Sequence, residues 1–338
     1  MDSLLKVSFG IKQRVTSRIA NFLLQHVFFA NRPSLSSWQS EEAAFRRRLQ
    51  ERWETPLKHL ETYIITCFFI GKEIHDDWVE EELFLNDGHY QEEVLTRLHS
   101  RSTRVSREIL TLLRNGYADA ALARWRSLYE IALVAKFVEK HGEPVAEKFV
   151  HYKPIQDLDE AEVYRKYQEE AGLSPMTDEK LEKLEQRRDE LRNDFGNSID
   201  DSGRGWGWAA GEFNGSASTR QIAEDVGLDW LLPYYKWASN PVHGGPKSSL
   251  YNLGMIDDAE NELGRISAGP TNYGFTDPAQ LMMISLLDTT VSLAAMKPKR
   301  RQSVALSVLE ESGHRIAREF VKVTRDIEYT ERYQQEQQ

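Results

Sequence analysis

From Ser37 to His141 the apolar residues of this chain recur at steps of three and four, and alternation with period two is nearly absent from all 338 residues. The first spacing gathers apolar side chains on one face of a helix; strands need the second. A chain with only the first can bury a core only by packing helices. The predicted fold is therefore all-α, a multi-helix bundle. One stripe runs through Leu57, Leu60, Ile64, Cys67 and Phe68, another through Val94, Leu98, Val105, Ile109 and Leu112, and a strong helix spans residues 117–140. Thr55-Pro56 reads as an N-cap followed by a first-turn proline. Asn86-Asp87-Gly88, Asn115-Gly116, and Gly142 with Pro144 read as breaks.

Further helices are predicted over 145–152, 157–171 and 177–195. The last is dense in both charges and reads as a solvated face laced with i,i+4 pairs or as an interaction helix. Ser218-Thr219-Arg220-Gln221 is a capping box opening a short helix that ends near Gly227. Helices over 228–240, 279–296 (capped by Asp277-Pro278) and 303–332 follow, and a second loop is predicted near 264–277. The segment 196–215 is irregular and rich in glycine and tryptophan, with Trp206 and Trp208 expected to pack on the body and pin an ordered loop. The chain divides into a basic amphipathic arm (1–35), one helical domain (36–333) with its motif-bearing core near 104–249, and a short tail (334–338).

Hydrophobic residues make up 40% of the chain, enough for a sizeable core. A formal net charge of −10 argues against broad non-specific duplex binding, while leaving room for a basic pocket on an acidic body. Cys67 is the only cysteine, so no intramolecular disulfide or thiolate cluster can form within one chain, and it reads as a buried small hydrophobe. This fits a cytoplasmic protein. The apolar runs are too short to span a membrane, and the N-terminus lacks a secretory pattern. The arm (Lys6, Lys12, Arg14 and Arg18 against Asp2) can dock on the body, pair with a second copy or touch a membrane surface through residues 1–30.

Two places carry chemistry. In Tyr234-Tyr235-Lys236-Trp237-Ala238-Ser239-Asn240-Pro241-Val242-His243-Gly244-Gly245, Pro241 ends a helix near Asn240 and presents His243 on a turn. Gly244 and Gly245 would allow a sharp turn, a close approach and an anion-binding concavity of amides. His243 can be a general acid–base, a metal ligand lacking a clear second ligand, or a structural cap. Lys236, Ser239 and Asn240 lie just upstream. The second place is the helix 117–140, where Arg126 and Glu130 share a face with Leu122, Tyr129, Leu133 and Phe137, and Arg124 flanks them. Two charges on an apolar stripe predict a mutual salt bridge, either structural or part of a site that holds an anion or orients His243. Ile74-His75-Asp76-Asp77 and His151 are weaker candidates, read chiefly as structural. No cofactor or metal is expected.

The ordered set Arg124-x-Arg126-Ser127-Leu128-Tyr129-Glu130, Phe149-x-His151-Tyr152, the Trp208 loop leading to Arg220-x-Ile222-Ala223, and Tyr235-x-x-x-Ser239-x-x-x-His243-Gly244 resembles an uncharacterised bacterial all-helical family, a domain of unknown function, over roughly Arg104 to Ser249. That resemblance implies an all-α fold whose two polar motifs meet. A more distant similarity is to helical HEPN proteins, which carry Arg and then His near a helix end. Many of these are metal-independent RNases of toxin or antiphage systems, acting as dimers. Lys236 stands where their arginine would. The resemblance implies RNA as partner, a homo-oligomer, His243 as acid–base, Arg126 or Lys236 on the phosphate, and Glu130 orienting Arg126. Arg124, Ser239 and Asn240 complete the candidate substrate contacts. The alternatives are a non-enzymatic interaction scaffold and a metal-assisted hydrolase using His75, Asp76 or His151.

Overall fold

The computed structural model describes residues 32–80, 88–200, 202, 205–243, 245–246 and 269–335. The arm expected over 1–35 lies, up to residue 31, outside the described residues, as do Gly244, residues 264–268 of the second loop and residues 336–338. Among the described residues there are ten α-helices, α1 (Arg32–Glu80), α2 (Tyr90–Arg114), α3 (Ala118–His141), α4 (Glu143–His151), α5 (Lys153–Tyr167), α6 (Asp178–Phe195), α7 (Thr219–Asp225), α8 (Leu232–Ser239), α9 (Thr276–Ala295) and α10 (Arg300–Gln335). No strand occurs among the described residues, as the periodicity demands.

Helix α9 buries most of its circumference, leaving Gln280, Asp288 and Val291 on one less buried stripe. It packs on α1, α2, α3 and α10. Its buried hydroxyls are satisfied along and across the bundle: Thr289 and Thr290 donate to the carbonyls of Ser285 and Leu286, and Ser285 accepts from Trp125 Nε1 at 3.0 Å. Trp53 of α1 stacks on Phe275 (centroids 4.7 Å apart) and leans on Phe320 of α10 (5.6 Å), tying three helices at one point. Cys67 is buried, as expected, and burial pushes its thiol up to about 12.

Helix α1 differs from the expectation that a helix begins at Thr55-Pro56: it runs through Pro56 without stopping. A proline in a helix interior costs roughly 3 kcal/mol. Leu49, Trp53, Leu57, Leu60 and Ile64 lie in continuous register on both sides of it, all 3% exposed or less, and their burial outweighs that cost.

Gly116, at φ +82°, turns the chain from α2 into α3, and a Cβ there would stand 2.7 Å from Pro270. The two helices therefore form an antiparallel hairpin. The Gly/Trp segment is ordered by short 3-10 turns. Trp208 is 4% exposed and meets Phe137 and Phe149 edge-on at 5.7 and 5.0 Å. Trp206 donates to Thr219 Oγ1 at 3.1 Å, beside the capping box, where Ser218 Oγ accepts from the Gln221 amide. Helices α5 and α6 pack on each other as a hairpin; only Leu191 of α6 is buried, and exposed pairs such as Lys183–Glu179 (2.6 Å) lace its surface.

Candidate functional site

Helix α8 is eight residues long and lies across α3. Pro233 stands in its first turn, where its missing N–H costs nothing. Tyr235 fastens it. The Tyr235 hydroxyl donates to Glu130 Oε1 at 2.6 Å and accepts from Arg126 Nη2 at 3.0 Å, while the Arg126 guanidinium sits 4.8 Å over the Tyr235 ring. Arg126 Nε is 3.5 Å from Glu130 Oε1, the direct ion pair the spacing predicted. The ring of Tyr235 packs 5.3 Å from that of Tyr129, whose hydroxyl donates to the Leu228 carbonyl at 3.0 Å. Burial raises the Tyr235 pKa; the Glu130 carboxylate adds to this and Arg126 opposes it. Tyr235 thus bridges the two charges as a neutral phenol.

The two charges do not lie within the apolar stripe, as the helical spacing suggested. Leu122, Tyr129, Leu133 and Phe137 are buried, but the side chains of Arg126 and Glu130 keep 30% and 40% exposure at the rim where α8 crosses. Rim placement with a phenol between them leaves both partly hydrated, although Arg126 Nε is buried without a hydrogen-bond partner.

Beyond Tyr235 the helix ends at Ser239 and a 3-10 turn spans Asn240–Val242, which is the stop that Asn-Pro predicted. His243 follows in an extended conformation, exposed, its N–H donating to the Asn240 carbonyl at 3.1 Å. Pro241, two residues earlier, lines a cleft of about 590 Å³ together with Asp119, Ala123, Arg124 and Ser127 of α3. Arg124 is held there by Glu108 of α2 (Nε to Oε2, 2.5 Å) and donates to Ser127 Oγ at 3.1 Å.

The predicted residues therefore fall on two successive stretches of the α3–α8 contact. Arg126 and Glu130 meet at Tyr235, which sequence reasoning placed in a motif but not in the site; only tertiary packing brings it to them. Arg124 and the turn that carries His243 border the cleft. Lys236 is exposed. Ser239 Oγ donates to the Tyr235 carbonyl at 3.0 Å, a bond within its own helix, and Asn240 is half-buried. Gly245 has open space where a Cβ would stand and no positive φ, so neither a sharp turn nor a close approach demands glycine there.

His151 packs against Tyr90 (5.5 Å) and Phe195 (6.1 Å), and His75 lies 3.7 Å from Asp76. Among the described residues, no group of three His, Cys, Asp or Glu side chains is gathered to hold a metal ion, and no helix is long and apolar enough to cross a membrane.

A family of unknown function, DUF5677, matches residues 92–262. The chain belongs to this family. The DUF5677 region begins in the first turn of α2 and extends past the His243 turn, so it contains both halves of the candidate site and the helices that present them. No curated protein and no solved structure matches the chain.

Proposed function

We propose that this DUF5677 protein is a metal-independent ribonuclease of the HEPN-like kind, whose biological setting would be a toxin or antiphage system. The observation that carries the proposal is the placement of His243: an exposed imidazole on the turn whose Pro241 borders a cleft walled by Arg124 and Ser127. A neutral imidazole can take the proton of a ribose 2′-hydroxyl. The 2′-oxygen then attacks the neighbouring phosphorus, the bond from phosphorus to the 5′-oxygen breaks, and that oxygen takes a proton from water. The products are a 2′,3′-cyclic phosphate and a 5′-hydroxyl. Arg124, with Glu108 orienting it, stabilises the charge that grows on the phosphate, and Lys236 adds positive charge from α8. Arg126, Tyr235 and Glu130 act by position: they clamp α8 to α3 and so set where His243 stands.

The purified protein should cleave single-stranded RNA in the presence of a chelator, leave DNA of the same sequence intact for want of a 2′-hydroxyl, and yield cyclic-phosphate ends. His243→Ala should abolish cleavage. Equal activity in the variant and the wild type would remove the proposal.

A second reading, a non-enzymatic interaction protein, is favoured by the α5–α6 hairpin, which exposes Val163 (56%), Tyr167 (47%) and Leu173 (46%). On that reading His243→Ala changes only stability, and deleting residues 1–35 disrupts assembly.

A further inference from the structure

We infer that the groove between α1 and α2 is a binding track for the phosphate backbone of single-stranded RNA, leading to the His243 cleft. In naming RNA the inference rests on the nuclease reading above. Its own ground is a charge pattern that the acidic composition does not foretell. Helix α2 carries Arg97, Arg101, Arg104 and Arg107 at steps of four, three and three, all exposed, while Val94, Leu98, Val105 and Ile109 are buried on the other face. The four arginines cover about 15 Å of helix, the length of roughly four stacked nucleotides.

They border two contiguous hollows of about 760 and 400 Å³, which share Thr96 and Arg104 and to which α1 contributes Lys72. Glu93 is the one carboxylate among the residues lining them. It pairs with Arg97 (2.6 Å), while Arg104 pairs with Glu108 (3.4 Å) and Lys72 with Asp76. Among the described residues, the guanidinium groups of Arg101 and Arg107 make no hydrogen bond or close ion pair, though the charge of Arg107 is felt by the Glu61 carboxylate, so both keep N–H donors for an incoming anion.

Two further observations point to a nucleic acid. Thr96 Oγ1 is buried beneath the groove without a hydrogen-bond partner, a polar atom that a bound phosphate or water would satisfy. At the groove wall, Phe68 is 44% exposed and sets its ring edge-on to Phe69 at 5.4 Å, offering an aromatic face to a base. A concave row of cations with an aromatic wall fits a strand better than a flat bilayer surface.

The track joins the cleft through one carboxylate. Glu108 forms an ion pair with Arg104 on the groove side (3.4 Å) and accepts a hydrogen bond from Arg124 on the cleft side (2.5 Å). A strand held along α2 therefore passes from Arg104 to Arg124 and onto the turn of His243.

The test uses the full chain with His243→Ala, so that RNA is bound and not cut, and follows a short fluorescent single-stranded RNA by anisotropy. With four phosphate contacts, affinity should fall about 50-fold between about 50 and 200 mM salt; adding Arg101→Glu and Arg107→Glu should weaken binding at least tenfold at the lower salt and cut that salt-dependent fall to about sevenfold. Both positions are exposed, and circular dichroism should confirm an unchanged fold. Unchanged RNA affinity in the charge-reversed protein would overturn the inference. So would loss of binding to phosphatidylserine vesicles with RNA affinity intact, which would make the groove a membrane surface. If the groove variants lose RNA while the protein with His243 intact cuts none, the track stands and the nuclease reading fails. If RNA is cut and the variants bind it normally, the reverse holds.

Discussion

Acidification should reveal the cost of the histidine sealed between α1, α2 and α9. His99 is 4% exposed, its Nε2 lies 3.2 Å from Thr290 Oγ1, and its ring fills the space left by Gly71. Burial pulls its pKa from the usual 6.5 down to about 4. The folded protein therefore keeps His99 neutral, while the unfolded chain takes up a proton below pH 6.5. Its contribution is complete above pH 6.5 and is lost as pH falls toward 4. Integrating the two titrations gives a loss of about 2 kcal/mol between pH 7 and pH 5, and about 3 kcal/mol by pH 4. Urea denaturation of the wild type and His99→Asn at the two pH values measures this. The carboxylates whose pKa values the fold lowers, Glu61, Asp76 and Asp225, also lose stability in acid, but they do so in both proteins and cancel. The wild type should lose about 2 kcal/mol more than His99→Asn from pH 7 to pH 5. Equal losses would mean that the native ring is hydrated or already protonated, and the reasoning from burial would be wrong.

Gly71→Ala tests the same packing from the other side. In a helix interior alanine normally stabilises by about 1 kcal/mol over glycine, but here its Cβ would stand 2.2 Å from the His99 ring, so net destabilisation of about 2 kcal/mol is expected by urea denaturation. A more stable variant would refute the contact. Tyr235→Phe keeps the ring under Arg126 and removes the bridging hydroxyl; because Arg126 and Glu130 stay partly hydrated, the loss should be only about 1 kcal/mol. In the RNA assay the same variant should lower kcat while leaving RNA affinity unchanged, since the clamp acts on the position of α8; a fall in affinity alone would contradict that role.

Much of the helical framework was legible because its signals are local. The Asn115-Gly116 break, the Gly142–Pro144 stop, the Ser218 capping box and the Asn240-Pro241 helix end all fall where turn and cap chemistry put them. Pro56 was misleading for the opposite reason. Its helix-ending preference is a local term, and the buried register of Trp53, Leu57 and Leu60 overrides it. The Arg126–Glu130 pair was legible from its i,i+4 spacing. Tyr235 between the two residues was not, since the contact spans 105 positions from Glu130 and depends on how α8 crosses α3. The arginines of α2 carried a readable step, but a solvated helix face shows the same pattern. Their groove exists only because α1 supplies the opposite wall.

Periodicity and capping are properties of neighbouring residues, so the residue order alone decided that this chain builds helices, roughly where they start and stop, and that Asn240-Pro241 ends one of them just before His243. Which helix becomes central, which charges are clamped by a phenol, and which arginines line a hollow were decided by packing. Those outcomes depend on side chains that meet across a hundred or more residues, and no spacing rule encodes such a meeting.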